Sequence, residues 1–112
     1  MPTAALAFSP LGDTISFTAA TPAPPAAVQT ANNDPTRTSY QYRVVNSGAV
    51  VVFLGVGATQ AAAEAAALTL AAGSIPLLQG AVEVLSFPAG SFFTALSTSG
   101  TAVVYVTPGE GI

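Results

Sequence analysis

The chain has 112 residues, of which 51% are hydrophobic and only 6% are charged, and its five carboxylates outnumber its two basic residues. This length fits one domain, and the shortage of basic residues argues against binding to nucleic acid or to an anionic membrane surface. Histidine, cysteine and lysine are all missing from the sequence, and with them the usual general bases, nucleophiles and zinc ligands. We therefore expect a protein that is not an enzyme and that has no metal site, no cofactor and no small-molecule substrate.

The sparse charge is the strongest compositional clue to the role of the protein. A folded monomer of this size exposes roughly 5,600 Å² of surface. Two basic and five acidic residues are few for that area in a free soluble monomer. Because large exposed apolar surfaces mark sites of interaction, we expect much of the surface to be covered by identical copies or by a larger assembly.

Residues 1–38 predict an extended N-terminal arm that carries short strands. Two β-capable runs, AALAF and TISFTAA, are separated by a turn at SPLGD, and residues 21–38 contain four prolines, which exclude a central strand. The segment NNDP predicts a turn and lacks the acidic density of a calcium loop. We expect neither a signal peptide, because the first residues lack a positive region, nor a membrane span, because Gly, Pro and Asn interrupt the apolar stretches.

Residues 39–57 predict a hairpin at the centre of a β-domain. In the run SYQYRVV, positions 40, 42 and 44 alternate with positions 41, 43 and 45, which predicts a half-exposed strand. NSG then predicts a turn. The following AVVVFLGVG is a β-branched run without polar alternation, which is typical of a strand buried on both faces.

The segment TQAAAEAAALTLAAG favours a short helix from about Gln60 to Leu68, because alanine is the best helix former. Glu64 is expected to lie exposed on it. A helix this short is marginal without packing, and alanine faces bury little area. A loop followed by a strand at residues 67–71 is therefore the alternative.

The last third of the chain, Val82 to Ile112, predicts an antiparallel meander. Three apolar, β-rich runs, VEVLSF, SFFTALS and TAVVYVT, are separated by the turn clusters PAG and TSG. Together the elements predict an all-β fold, an antiparallel β-sandwich or jelly-roll-like barrel over residues 39–112, preceded by the proline-rich arm.

Two patterns that suggest chemistry have plainer interpretations. GVGATQ, residues 55–60, is similar to part of a dinucleotide-binding fingerprint, but Gln60 stands where the third glycine is needed. We interpret it as a glycine turn that ends a strand. The five carboxylates are scattered singly along the chain, so a catalytic pair is not expected.

Aromatic and arginine residues are favoured in interface cores, and they mark the candidate contact residues of this chain. Tyr40 and Tyr42 form an aromatic–basic cluster with the two arginines; the alternative is that Arg43 pairs with a surface carboxylate. Two adjacent phenylalanines in a strand point to opposite faces, so one should be core and the other should need a second buried environment. The candidate set is Leu6, Phe8, Arg37, Tyr40, Tyr42, Arg43, Phe92 and Phe93.

The sequence after residue 42 resembles small structural proteins of tailed bacteriophages, and most nearly the capsid decoration, or cement, proteins. The likeness lies in RVVNSGAVVVFLGVG and in GAVEVLSFPAGSFFTALSTSGTAVVYVTPGEGI, with most weight on the PAG turn and the closing VYVTPGEG, and it covers about two-thirds of the chain. The resemblance implies a β-sandwich or jelly-roll-like domain, typically trimeric, on the outer surface of a capsid. Such proteins reinforce the shell where capsomers of the major capsid protein meet.

The partners implied by the resemblance are the major capsid protein and further copies of the chain, in a virion assembled in the host cytoplasm. The arm would lie over neighbouring capsid subunits, and deletion of residues 1–20 would abolish capsid binding while leaving the domain folded. Two other interpretations stay open. One is a head fibre base, neck or tail component of the virion; the other is a carbohydrate-binding β-sandwich module, which would need exposed aromatic platforms.

Overall fold

The computed structural model describes residues 8–31, 36, 38–69 and 74–110. Within these ranges the chain forms nine strands and one helix. In chain order they are β1 (Ser9–Pro10), β2 (Ile15–Ala19), β3 (Val28–Gln29), β4 (Ser39–Asn46), β5 (Val52–Gly57), α1 (Gln60–Thr69), β6 (Ile75–Leu77), β7 (Val82–Pro88), β8 (Phe92–Ser97) and β9 (Ala102–Glu110).

The strands form two antiparallel sheets that pack face to face. In the first sheet, the strand order is β1, β9, β4, β7, with β7 at the edge. β2 also pairs with β9, on the same side as β1. In the second sheet the order is β3, β8, β5, β6. The predicted all-β antiparallel sandwich with one short helix is confirmed.

The core lies between the sheets and is built by period-two alternation. Along β4, the side chains of Tyr40, Tyr42 and Val44 are buried, while Arg43 is exposed, which confirms the predicted half-exposed strand. Burial of each large apolar side chain contributes about 1.5–3 kcal/mol to folding. The largest fully buried apolar side chains are Tyr42, Phe93, Leu54, Leu77, Val44, Val52, Val104 and Val106.

The predicted hairpin and meander are wrong in their pairing, although their strands exist. β4 and β5 lie in different sheets, and β7, β8 and β9 alternate between the two sheets, each paired with a strand distant in sequence. The alternation of apolar residues fixes which face of a strand is buried, but it does not select the strand's neighbour. The links between these strands therefore cross the sandwich instead of turning back within one sheet.

The described part of the predicted arm belongs to the sandwich. β2 pairs with β9 over five residues, and Phe17 and Ala19 point into the core. β3 pairs with β8 in the opposite sheet. Deletion of residues 1–20 would remove two strands and two core side chains, so, contrary to the prediction that the domain stays folded, we expect the deletion to unfold it.

Helix α1 covers the outer face of the second sheet, against β5 and β8. Thr59 caps its first turn, because the Thr59 hydroxyl accepts the Ala62 amide at 3.1 Å. Glu64 and Gln60 dock the helix onto the proline-rich segment: the Glu64 carboxylate accepts the Ala27 amide at 2.9 Å, and the Gln60 amide donates to the Ala27 carbonyl at 3.2 Å. The predicted helix is confirmed, but Glu64 is half-buried and bonded instead of exposed.

The close approach of this helix depends on glycines in the strand beneath it. A Cβ atom at Gly55 would overlap the carbonyl oxygen of Ala63 and lie 2.5 Å from the amide nitrogen of Ala67, both of them backbone atoms. A Cβ atom at Gly57 would lie 2.7 Å from the Ala63 nitrogen. The glycines of GVGATQ thus serve helix packing, which explains how an alanine-rich helix is stabilised here.

Gly55→Ala is expected to lower the free energy of unfolding by about 1–3 kcal/mol, because the added methyl group displaces the helix backbone. Urea unfolding followed by circular dichroism measures the loss. Ala49→Val, which adds bulk at an exposed loop position, is the control and should change stability by less than about 0.5 kcal/mol. A Gly55→Ala protein as stable as wild type would contradict the close packing.

Candidate interaction surfaces

The structure separates the eight predicted contact residues into different environments. Tyr40, Tyr42 and Phe93 are buried in the core of the chain itself, so their assignment to a partner interface is wrong. Arg43 is exposed, and Phe8 and Phe92 are half-buried. Leu6 and Arg37 lie outside the described residues. The phenylalanine pair divides as expected, with Phe93 in the core.

The buried aromatic residues form a cluster that fixes one end of the sandwich. The ring of Tyr42 lies 5.0 Å from that of Phe93 and 6.2 Å from that of Phe87, and the Phe87 and Phe93 rings meet edge to face at 5.7 Å. The Tyr42 hydroxyl donates to the Pro88 carbonyl at 3.1 Å. Desolvation by burial raises the pKa of Tyr42, so its hydroxyl stays protonated and able to donate at neutral pH.

The outer face of the first sheet is a surface that no described helix covers. Its outward positions on β4, β9 and β7 form the patch that we call the sheet face. Val45 pairs with Tyr105, and Arg43 pairs with Val84 on one side and with Thr107 on the other. Tyr105 is 42% exposed. By the strand register, the outward side chains of the sheet face are Gln41, Arg43, Val45, Val82, Val84, Ser86, Val103, Tyr105 and Thr107.

Charge on this surface is positive and isolated. Arg43 is the one cationic side chain among the described residues, since the other arginine lies outside them. The described carboxylates on strands of this sheet, Glu83 and Glu110, occupy the alternate positions of their strands, whose side chains leave the opposite face. The sheet face therefore combines five apolar side chains with three neutral polar ones and one guanidinium.

A second exposed apolar patch, which we call the corner, lies at the turn between β6 and β7. Leu78 is 67% exposed and Val82 is 53% exposed, the two largest values among the bulky apolar residues of the described chain. A turn closed by the Ala81 amide and the Leu78 carbonyl at 3.0 Å connects them. Glu83 is exposed beside Val82. Val82 pairs with Val45 and therefore lies on the same side as the sheet face, whereas Glu83 pairs with Val44 and leaves the opposite side. The corner is formed by Leu78 and Val82.

A cleft of about 390 Å³ opens at the other end of β7, between the ends of β5 and β8. Phe87 and Val56 contribute apolar walls. The Ser91 hydroxyl is committed to the Pro88 carbonyl at 2.6 Å, and the Gly90 carbonyl accepts the Gln29 amide at 3.1 Å. The cleft can hold an apolar side chain. The full lining is Val56, Gly57, Ala58, Phe87, Pro88, Ala89, Gly90 and Ser91.

Metal and membrane features are missing from the described ranges. No group of three or more His, Cys, Asp or Glu side chains there could hold a metal ion. No described helix is long and apolar enough to cross a membrane. The surfaces of interest in the described chain are therefore the sheet face, the corner and the cleft.

Comparison with protein-family models, with curated proteins and with solved structures finds no match to this chain. The likeness to phage decoration proteins accordingly stays a prediction from the sequence.

Sequence reasoning missed most of the exposed apolar residues. Val82 and Tyr105 were read only as parts of apolar strands, and no prediction covered Leu78. The alternation in β4 could have shown that Tyr40 and Tyr42 do not share a surface with Arg43, because it places the two tyrosines on one face of the strand and Arg43 on the other. The exposure of Leu78 has no local sequence signal, since it depends on how the β6–β7 turn leaves the sandwich.

Proposed function

We propose that this chain is a structural protein of a bacteriophage virion, which binds the outer surface of the capsid and stabilises contacts between capsomers of the major capsid protein. It acts as an oligomer, most simply a trimer. The observation that carries the proposal is the exposure of Val82 and Tyr105 on the sheet face in a chain with so few charges. Such a surface is typical of a protein that works within an assembly.

The composition and the resemblance support the same role independently of each other. The residue types that perform most catalysis are missing from the sequence. The sequence from Arg43 onward resembles decoration proteins in its strand and turn residues. A rigid sandwich with exposed apolar patches is suited to passive clamping, in which area and the number of contacts supply the affinity.

The mechanism follows from multivalency. Each copy contributes a modest apolar contact, and a linked set of copies converts later contacts into intramolecular ones, which raises the overall affinity by orders of magnitude. A clamp of this kind needs at least two surfaces, one for the shell and one for its own copies. The sheet face, which continues into the corner at Val82, and the cleft at the other end of β7 lie in different places on the chain and meet that need.

The alternative virion locations, in a head fibre base, neck or tail, use the same kind of surface and are distinguished by where the chain is found. A carbohydrate-binding module is less favoured. Of the three tyrosines, Tyr40 and Tyr42 are buried, which leaves Tyr105 as the one exposed tyrosine ring. Glycan binding would require a platform that Tyr105 alone does not make.

Co-sedimentation with undecorated capsids of the phage that carries the gene tests the proposal. The purified chain should pellet with the capsids and reach saturation at a fixed number of copies per capsomer contact. Capsids that already carry a full complement of the chain are the control and should take up no more. If the chain stays in the supernatant with undecorated capsids, or appears only in purified tails, the capsid role is wrong.

A further inference from the structure

We propose that the free side of strand β7 binds an extended segment of a partner protein as an added antiparallel strand. The segment carries two apolar side chains and then a basic one, each separated from the next by one residue. This inference deepens the proposed function, on which it rests for the source of the segment in a capsid subunit, by naming a contact surface and the chemistry that the surface recognises.

Strand β7 pairs with β4 on one side, and no described strand pairs with its other side. At one end of this pairing the Asn46 amide donates to the Ala81 carbonyl at 3.0 Å. At the other end the Ala89 amide donates to the Thr38 carbonyl at 3.0 Å. Because such bonds recur at every second residue of an antiparallel pair, the odd-numbered residues of β7 direct their backbone groups to β4. The backbone groups directed to the free side are those of Val82, Val84 and Ser86.

The other edge strands of the described sheets are less suited to an added strand. Strands β1 and β6 each contain a proline, which lacks the N–H group that an added strand would need, and β3 has only two residues. Strand β2 exposes Ser16 and Thr18, while its inward-pointing Phe17 and Ala19 are already buried. Strand β7 is the longest edge strand, at seven residues, and none of its side chains is fully buried.

The side chains on the inner face of β7 define what the added strand must carry. Phe87 and Leu85 are half-buried against the core, so an apolar side chain opposite each would complete their burial. Phe87 also lines the cleft, which can receive the first of these side chains. Glu83 is exposed, and a basic side chain opposite it would form a charge-assisted hydrogen bond. An antiparallel strand that starts at the cleft meets Phe87, Leu85 and Glu83 in that order, at every second residue.

Glu83 also explains why the occupant is a partner protein and not a second β7. A charge that points inward on an edge strand opposes pairing with other strands. The sequence of β7 holds no basic residue, so a second β7 would place a carboxylate or an uncharged side chain opposite Glu83. The other described edge strands carry no basic residue either. The partner must therefore supply the cation.

A hexapeptide with blocked ends, Val-Thr-Val-Thr-Arg-Val, is the probe that tests this contact. In the antiparallel register its first two valines face Phe87 and Leu85, and its arginine faces Glu83. Titration into the isotope-labelled full chain, followed by NMR, should shift the amide signals of the three free-side residues and slow their exchange with solvent. The same peptide with glutamate in place of arginine should bind about tenfold more weakly. If the arginine peptide leaves these amides unchanged, or if both peptides bind equally, the proposal is wrong.

Two variants with matched controls test the charge and the backbone separately. Glu83→Arg should reverse the preference between the two peptides, whereas Asp13→Arg, the same charge change at an exposed position on the opposite edge of the sheet, should keep the wild-type preference. Ser86→Pro removes an N–H group from the free side without breaking a bond to β4, so it should weaken binding of the arginine peptide by about tenfold. Ser86→Ala keeps that N–H group and should bind like wild type.

Circular dichroism checks that every variant is folded. A Glu83→Arg protein that still prefers the arginine peptide, or a folded Ser86→Pro protein that binds it as tightly as wild type does, would overturn the contact.

The same variants in the capsid co-sedimentation experiment separate this contact from the proposed function. If wild type and Ser86→Pro pellet equally well with capsids, the proposed function stands and this contact is wrong. If the chain ignores capsids but shows the peptide preference and its reversal by Glu83→Arg, the contact at β7 stands and the proposed function is wrong.

Discussion

Phe93→Ala is expected to lower the free energy of unfolding by about 3–5 kcal/mol, whereas Phe92→Ala should cost far less. Phe93 is fully buried between the sheets, with the rings of Tyr42 and Phe87 against it at 5.0 and 5.7 Å. Truncation removes its apolar area from the core and leaves a cavity beside the rings of Tyr42 and Phe87. Phe92, half-buried on the other face of the same strand, loses only part of its contacts.

Urea or guanidinium unfolding, followed by circular dichroism, measures both variants under one set of conditions. The pair is matched, because the residue type, the strand and the substitution are the same and only the face differs. Equal losses would mean that β8 does not present Phe93 to the core as described. A larger loss for Phe92→Ala would reverse the assignment of the two faces.

Asn46→Ala is expected to cost at least about 3 kcal/mol, because several backbone groups would lose their hydrogen bonds to the Asn46 side chain. The two N–H groups of its side-chain amide are shared among the carbonyls of Val50, Leu77 and Leu78, at 2.9, 3.1 and 3.1 Å, and its side-chain oxygen accepts the Gly48 amide at 3.1 Å. Asn46 is fully buried. It therefore connects the end of β4 to the link that crosses the sandwich and to the end of β6.

Two variants separate the hydrogen bonds from the shape of the side chain. Asn46→Asp keeps the shape and the acceptor but replaces the donor with an anion facing three carbonyls, so it should cost at least as much as alanine. Ser47→Ala removes one exposed hydrogen bond, from its hydroxyl to the Val103 carbonyl at 2.8 Å, and should cost less than about 1 kcal/mol. A stable Asn46→Asp protein would show that the amide donor has no structural role.

The sequence predicted the strands, the helix and the buried face of β4 better than it predicted which strands pair with each other. The alternation in β4 was read correctly because burial of one face leaves a local pattern of period two. The helix was predicted from alanine content, although its stability depends on Gly55 and Gly57, which lie in a different element. The local helix propensity of alanine and the packing against these glycines therefore both favour the helix.

The pairing of the strands could not be predicted from local sequence patterns. NSG was read as a hairpin turn. Asn46 instead donates to the carbonyls of Leu77 and Leu78, which lie 31 and 32 positions further along the chain, and the next strand, β5, belongs to the other sheet. Likewise PAG and TSG turn the chain between sheets. A turn cluster shows that the direction changes, but the partner of the next strand depends on contacts that are long-range in sequence.

The candidate surfaces were predicted in part. Arg43 was selected correctly as an exposed residue, but proximity in sequence grouped it with two tyrosines that face the core. The exposed apolar residues of the sheet face and the corner were hidden among many apolar residues, since 51% of the chain is of that type. Exposure of an apolar side chain is decided by the assembled sheets.

The thermal disruption of capsids, measured with and without the added chain, tests the central claim most directly. Undecorated capsids of the phage that carries the gene are heated, and release of their contents or loss of intact particles is followed against temperature. A protein that clamps capsomers should raise the disruption temperature, and the rise should level off when its binding sites are full. An unchanged disruption temperature at saturating bound protein would contradict a stabilising role on the capsid.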